Sequence, residues 1–181
     1  MTSSQPSEDD SALWLSRDEQ AAWMPLAALL MTMPSVVDGQ LKRDSGLNLF
    51  EYTILSGLSE CEGQCARLAT LANVVGGSSS RLSHAVARLE RQGWVERRTQ
   101  ANGEPRATDV FLTDEGQAKL TAAAPDHVRE VRRLVFEGLS TPQITQLSRL
   151  ARRILSVTAP ETAALLADRD RQMEREGPGA W

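Results

Sequence analysis

Ser78, Ser79, Ser80, Arg81, Ser83, His84 and Arg88 fall within three helical turns of one another. Arg97 and Arg98 follow shortly after, and Arg106 a little later. None of these residues forms a nucleophile–base pair, and none has metal-ligand spacing. What they offer is hydrogen bonding to anions and flat acceptor edges. Serine hydroxyls and the free N–H groups of a helix's first turn suit phosphate oxygens. A guanidinium fork matches the two acceptors on the major-groove edge of guanine, and Arg81 is the preferred base reader on that ground. His84 fits two descriptions equally, a donor to base or phosphate and an ordinary exposed histidine. Arg88 suits either a phosphate or a carboxylate such as Glu90 or Glu96. The serine triplet taken alone is a helix cap and a polar turn.

The local pattern says which elements hold these groups. Leu68, Leu71, Ala72 and Val75 make a short helical repeat that stops at Gly76-Gly77. After the serine triplet, Leu82, Ala85, Val86 and Leu89 keep the i, i+3, i+4, i+7 spacing of one buried helix face. Two helices joined by a tight glycine turn, the second capped by serine, form a helix-turn-helix. Gly93 ends the second helix. Trp94–Thr99 and Thr108–Leu112 read as strands, and Asn102-Gly103 between them is a favoured hairpin dipeptide because both central residues need positive φ. The predicted fold is mainly α with a small β-hairpin wing, a winged helix-turn-helix.

Here the chain resembles the MarR family of bacterial transcriptional regulators. The matching marks are Gly76, Ser78 and Ser80 in the turn, Arg88-Leu89-Glu90 with Gly93, and the wing residues Arg106, Val110 and Leu112-Thr113-Asp114-Glu115-Gly116. Glu104 stands where the family usually has Asp. Gly77 stands where it usually has an apolar residue, which removes a packing contact and predicts a looser turn. The resemblance implies double-stranded DNA as partner, read by the second helix. It also implies minor-groove insertion of Arg106, and a homodimer built through the N- and C-terminal helices. Cys65-Ala66-Arg67 is implied as a short strand against the wing. Relatives bind phenolic or anionic aromatic effectors, so Trp23, Phe50 and Tyr52 are weak candidates for a ligand pocket, each otherwise a plain core residue. Some relatives sense oxidants through cysteine, which makes Cys61 and Cys65 weak redox candidates. A reactive thiol there needs a depressed pKa from nearby positive charge.

The totals fit such a reading once charge is located. The 181 residues carry a formal net charge of −4. Between Arg67 and Arg106, seven arginines stand against three glutamates, a local +4 on an acidic body. Two histidines in the whole chain leave little acid–base equipment near neutral pH, so no enzyme is expected, and no cofactor or metal. With no apolar run near 18 residues, no membrane span is expected, and a polar, acidic Met1–Ser11 predicts no signal peptide; the cytoplasm is the expected compartment.

The expected organisation is a disordered tail (1–10), an N-terminal dimerisation helix region (11–45), the winged helix-turn-helix (46–113), C-terminal dimerisation helices (114–158) and a charged tail with a short solvated helix (159–181). Pro25, Pro34 and Pro125 lie inside helical patterns, where each predicts a break or kink. Thr113 and Thr141 are the expected N-caps, with Pro142 in the first turn. The apolar stripe Ile144, Leu147, Leu150, Ala151, Ile154, Leu155 requires a partner surface.

Overall fold

The computed structural model describes residues 14–99 and 108–176. The expected tail at 1–10 and the hairpin tip, with Asn102-Gly103, Glu104 and Arg106, lie outside the described residues.

The first helix, α1, spans Arg17–Ser45 without a break. A capping box opens it: the Glu19 amide donates to Ser16 Oγ, and Glu19 Oε2 accepts from the Ser16 amide at 2.7 Å. Gly46, in the left-handed region at φ 71°, closes it. Pro25 and Pro34 both sit inside, so the expected breaks do not occur. Each proline deprives only one carbonyl, on Ala21 and Leu30, of its helical donor. Both of those residues are exposed, so water can serve the freed oxygens.

By length and composition α1 could also cross a membrane, against the expectation of no such stretch. Its C-terminal half is nevertheless part of the protein core, through Val37, Gln40 and Leu41.

Helix α2, Leu49–Ser59, is capped by Asn48 in a second capping box with Glu51. It buries Phe50, Ile54, Leu55 and Leu58. A 3-10 turn, Glu62–Gln64, leads to strand β1, Cys65–Arg67, and then to α3, Leu68–Val75. Helix α4 covers Ser79–Arg91. Its buried residues are Leu82, Ala85, Val86 and Leu89, as the spacing requires. Strands β2, Val95–Thr99, and β3, Thr108–Leu112, complete an antiparallel sheet in the order β1-β3-β2. Cys65 stands opposite Phe111, and Arg98 opposite Asp109. Val95, Val110 and Leu112 turn into the core that α1, α2 and α4 share.

Helix α5, Asp114–Val131, starts at the Thr113 cap, whose Oγ1 accepts from the Gly116 amide at 3.0 Å. It too passes its proline, Pro125, unbroken and widens into a single π-helical turn at Arg132–Phe136. Helix α6, Thr141–Thr158, is capped one residue earlier than expected. Ser140 rather than Thr141 is the N-cap, with Gln143 Oε1 accepting from the Ser140 amide at 2.8 Å. Helix α7, Pro160–Glu176, occupies the charged stretch where a solvated helix is expected. It folds back along α6 and onto α3. Arg152–Asp170 at 2.6 Å ties it to α6, and Arg169–Glu60 at 2.9 Å ties it to the end of α2.

Candidate nucleic-acid interface

The Ser78 side chain accepts from the Arg81 amide at 3.3 Å and sets the start of α4. Its backbone carbonyl takes the Leu82 amide at 3.0 Å. Ser79, Ser80, Arg81, His84 and Arg88 are exposed, and Ser83 is half-buried. Because Leu82, Ala85, Val86 and Leu89 anchor the opposite face, these groups have only one side to occupy, away from the core. The first-turn amides of Ser79 and Ser80 point out of the N-terminal end of α4, where a helix carries partial positive charge.

Three of the candidate arginines are held by carboxylates. Arg88 pairs with Glu51, Nε and Nη2 lying 2.8 and 2.7 Å from Oε1. That corrects the expected partners, Glu90 and Glu96. Glu51 is a buried residue at 8 % exposure whose other oxygen is spent on the Asn48 amide, so the pair joins α4 to α2. Glu90 instead binds Arg97, at 2.8 Å from Nε, and this pair holds the Glu90 carboxyl below the usual range. Arg98 pairs with Glu96 at 2.8–3.0 Å and stacks over the Phe111 ring at 4.3 Å. Arg81 is different. Its guanidinium meets no carboxylate at ion-pair distance among the described residues, and lies instead over the Phe50 ring at 4.2 Å. Carboxylates thus neutralise Arg88, Arg97 and Arg98, while Arg81 at the start of α4 and Arg91 at its end have no ion pair among the described residues.

Between α1, α2 and α4 lies a cleft of about 750 Å³. Pro34, Asp38 and Lys42 line it from α1, Asn48 and Phe50 from the start of α2, and Arg81, His84 and Arg88 from α4. Lys42 pairs with Asp38 at 2.7 Å, and Asp38 also accepts from the Leu49 amide at 2.9 Å; both hold its carboxyl below the usual range. Of the three candidates for a ligand pocket, only Phe50 faces this cleft. Two residues along α2, Tyr52 points to the other side and stacks against His127 at 4.4 Å. Trp23 is half-exposed on the N-terminal half of α1.

The cysteines are free, and both thiols are pushed up by burial, Cys61 further by Glu60 and Cys65 by Asp109. Cys61 Sγ donates to the Gly57 carbonyl at 3.2 Å. Burial and the nearby carboxylates work against a depressed thiol pKa at both positions, with Arg98 opposing them at Cys65.

The sequence reading missed the part played by Glu51, Asp38 and Lys42. The Asn48-x-x-Glu51 capping box was visible in the residues, but the 37-residue separation of Glu51 and Arg88 carries no local signal.

No family model matches the chain. Solved structures match it closely. A MarR family transcriptional regulator from Streptomyces coelicolor, solved in complex with DNA, is 36% identical over 79% of this chain and 89% of that one, with a TM-score of 0.74. AbsC, a MarR family regulator of the same organism, is 31% identical over 80% and 97% of the two chains, with a TM-score of 0.73. The transcriptional repressor MprA of Escherichia coli is 26% identical over 117 residues, and the match spans 65% of the length of that curated relative. Identity above 30% across most of both solved chains goes beyond shared architecture: the chain belongs to the MarR family of transcriptional regulators.

Proposed function

We propose that this chain is a homodimeric, sequence-specific DNA-binding repressor acting in the cytoplasm on an inverted-repeat operator. The observation that carries the reading is the open face at the start of α4. Ser79, Ser80 and Arg81 are exposed there, and the Arg81 guanidinium meets no carboxylate at ion-pair distance among the described residues. One relative named above was solved with DNA and another is named a repressor, which supports both halves of the reading. In it, Ser78, Ser79, Ser80 and Ser83 hold phosphates, and Arg81 reads a guanine. His84 and Arg88 flank the groove, and Arg97 and Arg98 back the wing. The cleft between α1, α2 and α4 is the place for a small anionic or aromatic effector. Arg81 supplies positive charge there, Lys42 and Arg88 add cations paired with Asp38 and Glu51, and Phe50 gives an aromatic wall. An effector seated there would touch α1 and α4 together and so change how α4 sits on DNA.

Selecting bound fragments from the source genome with purified protein supplies the cognate duplex. On it, Arg81→Ala is expected to cost about 1–3 kcal/mol, with little change on scrambled DNA. Equal weakening on both duplexes would reduce Arg81 to a phosphate contact. Wild-type protein that shifts no genomic fragment at any salt concentration would sink the DNA-binding reading and favour a protein-docking module.

A further inference from the structure

Phe50, Gly77 and Arg81 come from α2, the turn and the first helical turn of α4, and they meet at one point. The Phe50 ring lies beneath the Arg81 guanidinium, 4.2 Å from its centroid to Arg81 Cζ. The edge of the same ring lies against Gly77. A Cβ at Gly77 would stand 3.0 Å from Phe50 Cζ and 3.1 Å from Cε2. The expected loosening of the turn is thus answered from across the fold, because the ring fills the space that an apolar side chain at position 77 would take.

The ring and the guanidinium divide the work. Phe50 is buried at 9 % exposure and belongs to the core cluster, so its own position is fixed. Arg81 is exposed above it. A cation–π contact holds a guanidinium without a hydrogen-bond acceptor and so leaves N–H donors available for a base. A carboxylate does the opposite, since it occupies those donors, as Glu51 does with Arg88 and Glu90 with Arg97. Restricting the Arg81 side chain in advance also reduces the entropy lost when it pairs with a base.

We infer that Phe50 is a positioning residue for base recognition: it holds the Arg81 guanidinium through a cation–π contact, and Gly77 is small so that the ring can reach it. This rests on the reading of Arg81 as the base reader.

A double-mutant cycle tests it with full-length protein on the selected duplex and a scrambled one at fixed salt. Phe50→Leu is expected to weaken cognate binding about two- to five-fold and leave scrambled binding unchanged. The Phe50→Leu, Arg81→Ala double variant should bind no more weakly than Arg81→Ala alone. Additive losses, or equal losses on both duplexes, overturn the inference, because a role confined to core packing gives no coupling to Arg81. If Phe50→Leu does not fold, Gly77→Ala decides. Gly77 lies outside the left-handed region, so alanine is allowed by the backbone, and its Cβ displaces the ring while both partners remain. Its cognate-to-scrambled ratio should fall at a temperature where the variant is fully folded, whatever the overpacked ring costs in melting temperature; an unaltered ratio overturns the inference. Should Arg81→Ala itself keep the wild-type ratio, the base-reading assignment fails and takes the inference with it. Should Arg81→Ala collapse the ratio while Phe50→Leu adds independently, the inference fails alone.

Discussion

Arg81 and Arg88 sit seven residues apart on one helix and are the same amino acid, yet their surroundings give them different work. Arg88 neutralises Glu51, whose two oxygens serve the Arg88 side chain and the Asn48 amide. Removing Arg88 strands a nearly buried acceptor, which costs about 1–3 kcal/mol. Arg81 has no such partner among the described residues, so its loss leaves no buried charge behind there. Arg88→Ala should therefore lower unfolding free energy in denaturant titrations by about that amount, whereas Arg81→Ala should not measurably change it. Glu51→Gln in the Arg88→Ala background should recover part of the loss, since a neutral amide is cheaper to leave without its partner. If Arg88→Ala is as stable as wild type and only the salt dependence of DNA binding shrinks, Arg88 is a phosphate contact and the Glu51 pair is incidental. Residue types alone could nominate both arginines. Only the fold, bringing α2 under α4, separates them.

Among the elements, the legible parts are those whose cause is local. The buried face of α4, the Ser78 cap and the Thr113 cap follow from spacing and from side chains within a few residues. The less legible parts depend on what lies far off in sequence. The prolines of α1 were read as interruptions because their cost is local, while their tolerance comes from exposure of the freed carbonyls. The docking of α7 uses Glu60 and Arg152 as ion-pair partners for its Arg169 and Asp170, and no periodicity announces that. Gly116 shows a motif residue with a tertiary cause. It opens the first turn of α5 directly against the β2 entry, where the Trp94 carbonyl accepts the Thr113 amide at 3.2 Å. A Cβ on Gly116 would stand only 2.0 Å from that carbonyl oxygen. Gly116→Ala must push α5 away from the strand and should destabilise the protein by about 1–3 kcal/mol or more, as overpacking does. Calorimetric melting checks it, and an unchanged melting temperature would mean that the two elements are not held together as tightly as this contact requires.

At the scale of the whole molecule the question is what covers α1 and α6. No residue of α6 is buried, and its stripe includes Leu147, Leu150, Ile154 and, at 82 % exposure, Val157. The N-terminal half of α1 adds Met24, Leu30 and, at 81 % exposure, Met31. Apolar surface on this scale, gathered on two helices, calls for a partner. A second copy is the proposed one, since a two-fold pair presents two α4 helices to successive major grooves about 10 bp apart. Sedimentation at micromolar concentration should give twice 19.8 kDa. Leu150→Glu with Ile154→Glu places two charges in the proposed contact while leaving the winged-helix core untouched, because neither residue belongs to it. That variant should sediment as a folded monomer and bind the inverted repeat far more weakly than wild type. Its affinity for an isolated half-site should stay close to that of one wild-type subunit, since each recognition helix is intact and only the coupling between two of them is lost. A wild-type protein that stays monomeric, or a charged variant that stays dimeric, would mean that these stripes are covered in some other way.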